Sequence, residues 1–260
     1  MAEDKKQGID VADTIRVEPG TTVDSDTLLK NTQMRMWASL KSHHQYPSVQ
    51  EVSYNFLKRN AFNRIHAVIL YVDLVGSTKL AMELPGQKLA RIVSAFNQEM
   101  ASLVVSYQGM VLKYMGDAVI GYFVSDNNSL LAADKAVECA KSMVYIVEEG
   151  INPVLDQYYY PEMRVKIGID YGESVVVKYG AGKRNFQVDL MGTPLNMASK
   201  IQAMAKPDQI LIGERVYSRL HPVTRKQFEM VIWKDNVWKY YSLESGHIYD
   251  VYAYNPPNKE

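Results

Sequence analysis

From His66 to Leu74 the chain runs HAVILYVDL, a nearly unbroken apolar stretch rich in β-branched residues, which predicts a buried strand. It ends in Val-Gly-Ser-Thr, where the chain must turn and a helix can open. Between Gly86 and Tyr107, Leu89, Ile92, Val93, Phe96, Met100, Leu103 and Val104 recur at spacings of three and four, the stripe of an amphipathic helix. VLKYM and AVIGYFV read as two strands joined by Gly116-Asp117, a two-residue hairpin signal. A second helix is expected from about Leu130 to Glu149, burying Ala133, Ala136, Val137, Ala140, Met143, Val144 and Val147. MRVKIGID and ESVVVKYG predict two further strands turning at Tyr171-Gly172. Thr193-Pro194 marks a helix start, with Thr193 as cap and Pro194 in the first helical position, and the helix runs to about Ala205. QILIG and HIYDVYAY complete the set as strands.

Helices and hairpin-linked strands are mixed in this order, so the expected fold is α+β with an antiparallel or mixed sheet. The first six elements fit the split βαββαβ, ferredoxin-like unit. One domain is expected over residues 62–255. Residues 25–61 ahead of it carry Leu28, Leu29, Met34, Met36, Trp37 and Leu40, then Val52, Phe56 and Leu57 after Pro47. That pattern predicts one or two short helices that brace or dimerise the domain. His43 and His44 are neighbours and would point to different sides of a helix, so they read as a polar surface pair rather than metal ligands. Residues 1–24 and 256–260 lack sustained periodicity and read as tails.

Composition narrows the class. Lys plus Arg and Asp plus Glu both number 29 in 260 residues, so the formal net charge is zero. A general nucleic-acid binder or a polybasic membrane module would carry excess positive charge. The single cysteine, Cys139, rules out an internal disulfide and a metal site built from thiolates. MAEDKKQGID has charges where a signal peptide needs an apolar core, and no run of about 18 apolar residues occurs. The expectation is a cytoplasmic protein with no membrane insertion.

Two carboxylates interrupt the apolar strands. Asp73 lies near the end of HAVILYVDL and Asp117 in the hairpin turn. The first and third strands of a split βαββαβ unit are neighbours, which would bring these acids together. Two acids held close repel unless a cation lies between them, and a hard divalent ion such as Mg²⁺ suits one or two carboxylates plus substrate phosphates. Taken singly, Asp73 also reads as a helix cap and Asp117 as a turn residue. The turn from Leu74 through Gly76, Ser77 and Thr78 offers backbone N–H groups to phosphate, or is a plain capping turn. In DLMGTPLNMASK, Asp189 precedes a turn, and Asn196 and Lys200 lie four apart on one helix face, toward a cleft or toward water.

YVDLVGST, GMVLKYMGDAVIGYF, MRVKIGIDYGESV and FQVDLMGTPLNMASKIQAMAKPDQILI together resemble the catalytic domain of the class III nucleotidyl cyclases, adenylate and guanylate, over about residues 66–220. The resemblance implies an enzyme in which Asp73 and Asp117, with Leu74 beside the first, hold two Mg²⁺ or Mn²⁺ ions per site. Lys113 and Asp189 match the pair that reads the purine. Lysine as donor and carboxylate as acceptor suit adenine, so ATP is the implied substrate and cyclic AMP and pyrophosphate the products. Asn196 matches the asparagine that orients the nucleotide. Lys166 falls where the family often has a basic residue near the triphosphate. Family sites form at a two-fold dimer interface, which implies a homodimer. Three positions depart from the pattern. Lys200 stands where the family has arginine, and it lacks the planar two-point fork. Lys239 is the one candidate for a late phosphate-binding lysine. Asp170 stands where many members carry histidine. Two other functions fit the same residues: a nucleotide-binding regulatory module without turnover, and a cyclase using a pyrimidine nucleotide, which the bulky Tyr71 leaves open.

Overall fold

A computed structural model describes residues 24–41, 46, 48–125, 128–180, 186–234, 237–242 and 245–256. His43 and His44 lie outside the described residues. In chain order the elements begin with α1 (Ser25–Lys41), α2 (Gln50–Arg59), β1 (Arg64–Leu74), α3 (Ser77–Glu83), α4 (Gly86–Ser106), β2 (Met110–Met115), β3 (Ala118–Val124) and α5 (Ser129–Tyr145). They continue with α6 (Asn152–Asp156), β4 (Val165–Tyr179), β5 (Gln187–Met191), α7 (Thr193–Met204), β6 (Gln209–Gly213), α8 (Glu214–Tyr217), α9 (Pro222–Arg225), β7 (Phe228–Met230) and β8 (Val251–Tyr254). The sheet order is β2-β3-β1-β4-β6-β8-β7, with β5 paired to β4. Its first four strands have the ferredoxin-like order expected from the sequence, and β1 lies antiparallel between β3 and β4.

The unbroken apolar run of β1 is explained by burial on both faces. Val68, Leu70 and Val72 pack with Phe96 and Val104 of α4 and with Ala136 and Ala140 of α5. Ile65, Ala67 and Ile69 point the other way, against Phe56 and Leu57 of α2 and Leu195 and Ala198 of α7. Alternation along one strand thus feeds two cores. α1 is strapped to α4 by a fully buried carboxylate, Glu99. Arg35 meets it with both Nε (2.8 Å) and Nη2 (2.5 Å), and Thr32 and Tyr46 donate hydroxyls at 3.0 Å. A buried charge is tolerated only when paired and hydrogen-bonded in this way.

Several predicted boundaries differ in the structure, each for a physical reason. There is no turn at Tyr171-Gly172, because β4 runs straight through it for 15 residues. The glycines of this strand serve close approach instead. A Cβ on Gly168 would sit 2.3 Å from the Gln202 amide nitrogen and 2.4 Å from the Ala198 carbonyl oxygen of α7. The strand partner of the second half of β4 is β5, which the hydropathy pattern did not reveal. Thr193 is the first residue of α7 rather than its cap. Gly192 holds the cap position, where a Cβ would lie 2.8 Å from the Glu173 carbonyl oxygen. Beyond Tyr145 the second predicted helix widens into a π-helical stretch, Ile146–Ile151, before α6. HIYDVYAY forms a strand only from Val251 to Tyr254, and Ile248 makes a lone bridge with Tyr241. Gly116-Asp117 forms the two-residue hairpin as predicted, with Met115 opposite Ala118 and Gly116 at φ +66°. Among the described residues no helix is long and apolar enough to cross a membrane.

Candidate active site

Strand register brings the two interrupting carboxylates together. Asp73 on β1 faces Ala118 of β3, one residue from Asp117 in the turn, and on its other side faces Lys166 of β4. Burial first, and then the charge of Asp117, push the Asp73 carboxyl above its usual range. A hydrogen bond from Gln202 Nε2 to Oδ2 (3.1 Å), the Lys166 charge and the Leu74 amide pull the other way. Asp73 is therefore an acid held beside a second acid with only partial compensation, the condition that a cation relieves.

Among the described residues no group of three or more His, Cys, Asp or Glu could hold a metal. Two carboxylates with hard oxygens suit Mg²⁺ or Mn²⁺, which accept few protein ligands when phosphates and water complete the shell. The side chain of Leu74 is buried in the main core, so only its backbone could join them. Directly downstream, Gly76 (φ +77°) precedes the short α3, with Gly76 and Thr78 exposed and Ser77 half-buried.

A second polar group lies on the strands flanking this cluster. Lys113 follows an irregularity in β2 at Val111/Lys113, and its Nζ reaches Asp189 Oδ2 at 2.5 Å. Asp189 sits on β5 opposite Val177, and its Oδ1 accepts the Leu190 N–H at 2.8 Å. Tyr71 lies two residues before Asp73 on the same face of β1. Burial, and behind it the Asp189 charge, raise the pKa of its hydroxyl, so the ring stands beside the Lys113–Asp189 pair.

Asn196 and Lys200 are both exposed on α7, one turn apart. Among the described residues neither makes a side-chain hydrogen bond, and both border open space. Lys166 joins the carboxylate cluster through its effect on Asp73. Lys239 is exposed beside the buried Trp238. Gln202 was missed in the sequence. Its signal was a polar side chain four residues after the buried Ala198, on the helix face that packs on the sheet.

Asp170 is fully buried under Gly213 and α8. Tyr249 donates its hydroxyl to Oδ1 at 2.6 Å, while among the described residues Oδ2 has no hydrogen-bond partner. Burial pushes its pKa up to about 7 despite that hydrogen bond and the nearby Arg215 charge. A carboxyl whose folded pKa is raised stabilises the fold fully below its unfolded value near 3.8, and that stability is lost as pH rises toward about 7. The loss is on the order of 4 kcal/mol. Asp170→Asn mimics the neutral acid, so thermal melts from pH 5 to pH 8 should fall less steeply for the variant than for the parent protein. Parallel slopes would show that Asp170 does not titrate in this way.

The chain matches known proteins throughout this region. The profile of the adenylate and guanylate cyclase catalytic domain matches residues 60–239. A uridylate cyclase from Rhodovulum sp. (strain MB263) is 24% identical over 209 residues, covering 77% of this chain and 83% of the relative. Further matches include uncharacterized mycobacterial proteins, of whose length the chain spans 24%. Among solved structures, the adenylyl cyclase CyaB from P. aeruginosa superposes with a TM-score of 0.60 at 20% identity, over 76% of this chain and 97% of that one. The guanylyl cyclase Cya2 superposes with a TM-score of 0.63 at 19% identity, over 76% and 96%. Fold and sequence profile agree: the chain belongs to the adenylate and guanylate cyclase catalytic domain family.

Proposed function

We propose that this nucleotidyl cyclase domain closes a nucleoside triphosphate to its 3′,5′-cyclic monophosphate and works as a homodimer. The observation that carries the reading is the pairing of Asp73 with Asp117 across β1 and the β2–β3 turn. In the reaction the ribose 3′-hydroxyl gives up its proton to water, its oxygen bonds to the α-phosphorus, the bond from that phosphorus to the oxygen bridging to the β-phosphorus breaks, and pyrophosphate leaves. Two divalent cations, when bound, lower the pKa of the 3′-hydroxyl and neutralise phosphate charge. Asp73 and Asp117 would hold them. Gln202 fixes the Asp73 carboxylate, and Lys166 adds positive charge next to it. The backbone of Gly76, Ser77 and Thr78 faces the phosphates. Asn196 and Lys200 reach from α7 toward the nucleotide bound with the partner's carboxylates. Exposed Met115 and Met191, next to the hairpin turn and to Asp189, supply apolar area for that contact.

Lys113 and Asp189 read the base. One donor beside one acceptor suits adenine, with N1 accepting and the exocyclic amine donating, which supports ATP. The same couple suits uracil, with O4 accepting from lysine and N3–H donating to carboxylate. Hydrogen-bond type does not separate them, but room does. Tyr71 occupies part of the space beside Asp189 and favours the smaller ring, so we place UTP first and ATP second. The similarity to a uridylate cyclase along most of its length supports that order.

The test compares kcat/KM for UTP and ATP in the parent protein and in Tyr71→Ala. UTP should be preferred, and the variant should shift the ratio toward ATP by about tenfold, the scale of a change in pocket volume. A parent that prefers ATP, with a ratio unmoved by Tyr71→Ala, would favour the adenine reading.

A further inference from the structure

The sheet is open on one side of β4. β6 leaves that strand after Ile169, and β5 joins it only at Val175. The intervening stretch borders a cleft of about 700 Å³ whose walls include His66, Tyr171, Thr193, Arg215, Ser218 and Arg219. His66 precedes Asp73 by seven residues on β1, which places this cleft about 23 Å from the carboxylate cluster.

The cleft carries a preset cationic group. The Arg219 guanidinium lies 4.0 Å from the centre of the Tyr171 ring, and its Nη1 donates to the Arg215 carbonyl (2.9 Å) and to Ser218 Oγ (3.3 Å). Among the described residues these are its hydrogen bonds, so the donors on Nε and Nη2 remain for a ligand. The acids bordering the cleft are already engaged. Glu173 Oε1 accepts from Arg64 Nη1 at 2.9 Å, and Glu214 Oε2 accepts the Asp250 N–H at 3.1 Å. Arg215 adds a second guanidinium, and Thr193 and Ser218 add hydroxyls. The exposed His66 ring, 6.2 Å from the Tyr171 ring that Arg219 covers, offers an aromatic face to the cleft. The volume exceeds that of a bare oxyanion and falls in the range of small-molecule sites.

We propose that this cleft binds a small organic anion, its carboxylate or phosphate held by Arg219 and its ring against the exposed His66 ring. The site is independent of the cyclase reading. Calorimetry on the full chain with phenyl phosphate, benzoate and inorganic phosphate tests it. Phenyl phosphate or benzoate should bind at millimolar concentration or below, and more tightly than inorganic phosphate. The tighter of the two identifies the anionic group. Arg219→Gln should weaken binding by at least about tenfold, because it removes a charged fork. Arg219→Lys keeps the charge without the fork and should show a smaller loss, a second check if the glutamine variant misfolds. Asp73→Ala should bind like the parent. The proposal is overturned if neither organic probe binds, if Arg219→Gln and Arg219→Lys both bind as the parent does, or if Asp73→Ala abolishes binding.

Discussion

Replacing either Asp73 or Asp117 by Asn should abolish cyclic-nucleotide formation, lowering turnover by on the order of a thousandfold, while making the metal-free protein more stable. The two effects have one cause. Folding sets Asp73 half out of water beside Asp117, which raises its pKa. Such a group stabilises the fold fully at low pH and costs stability as pH rises through its folded value. A neutral amide at position 73 removes that cost, and one at position 117 removes the share that comes from its charge, so both variants should melt above the parent at neutral pH with chelator present. Mn²⁺ should raise the melting temperature of the parent by mass action and leave both variants unmoved. A structural pair would behave differently, because removing one member would lower stability and Mn²⁺ would have no effect. Stability traded for activity in this way marks a functional site.

Gly168→Ala should be the most damaging single substitution on the sheet. Its Cβ would fall 2.3 Å from the Gln202 nitrogen, 2.4 Å from the Ala198 carbonyl oxygen and 2.6 Å from the Gln202 Cα. All three are backbone atoms of α7, so no rotamer change relieves the clash and the helix must lift. The packing loss is on the order of 3 kcal/mol. α7 carries Asn196, Lys200 and Gln202, so activity should fall even below the melting temperature, and Asp73 should lose its Gln202 hydrogen bond. Urea unfolding checks the stability, and product formation in the folded baseline checks the activity. A variant of parental stability and turnover would show that α7 is not seated as tightly as described.

Much of the fold was legible because apolar runs and helical stripes record burial directly. HAVILYVDL announced a strand buried on both faces, and Gly116-Asp117 announced its hairpin. What failed to show depended on partners distant in the chain. Gly172 looked like a turn because glycine has the same letter whether it bends a strand or admits a helix; only α7 lying over β4 tells which. β5 was hidden because QVDLM is half polar, and its Asp189 is there to meet Lys113 rather than to fill a core. Asp73 and Asp117 stood out as charges in apolar surroundings, whereas Gln202 stood out only once α7 was known to face the sheet. Tyr71 was visible as a bulky residue near Asp73, but the effect of the Asp189 charge on it required the folded chain.

Mass identification of the product tests the central claim most directly. The purified chain is incubated with ATP, GTP, CTP and UTP in the presence of Mn²⁺, with and without excess chelator. The account predicts a 3′,5′-cyclic nucleotide together with an equal amount of pyrophosphate, formed only where Mn²⁺ is free. Nucleotide binding without any cyclic product from all four triphosphates would contradict it and leave a regulatory module in its place.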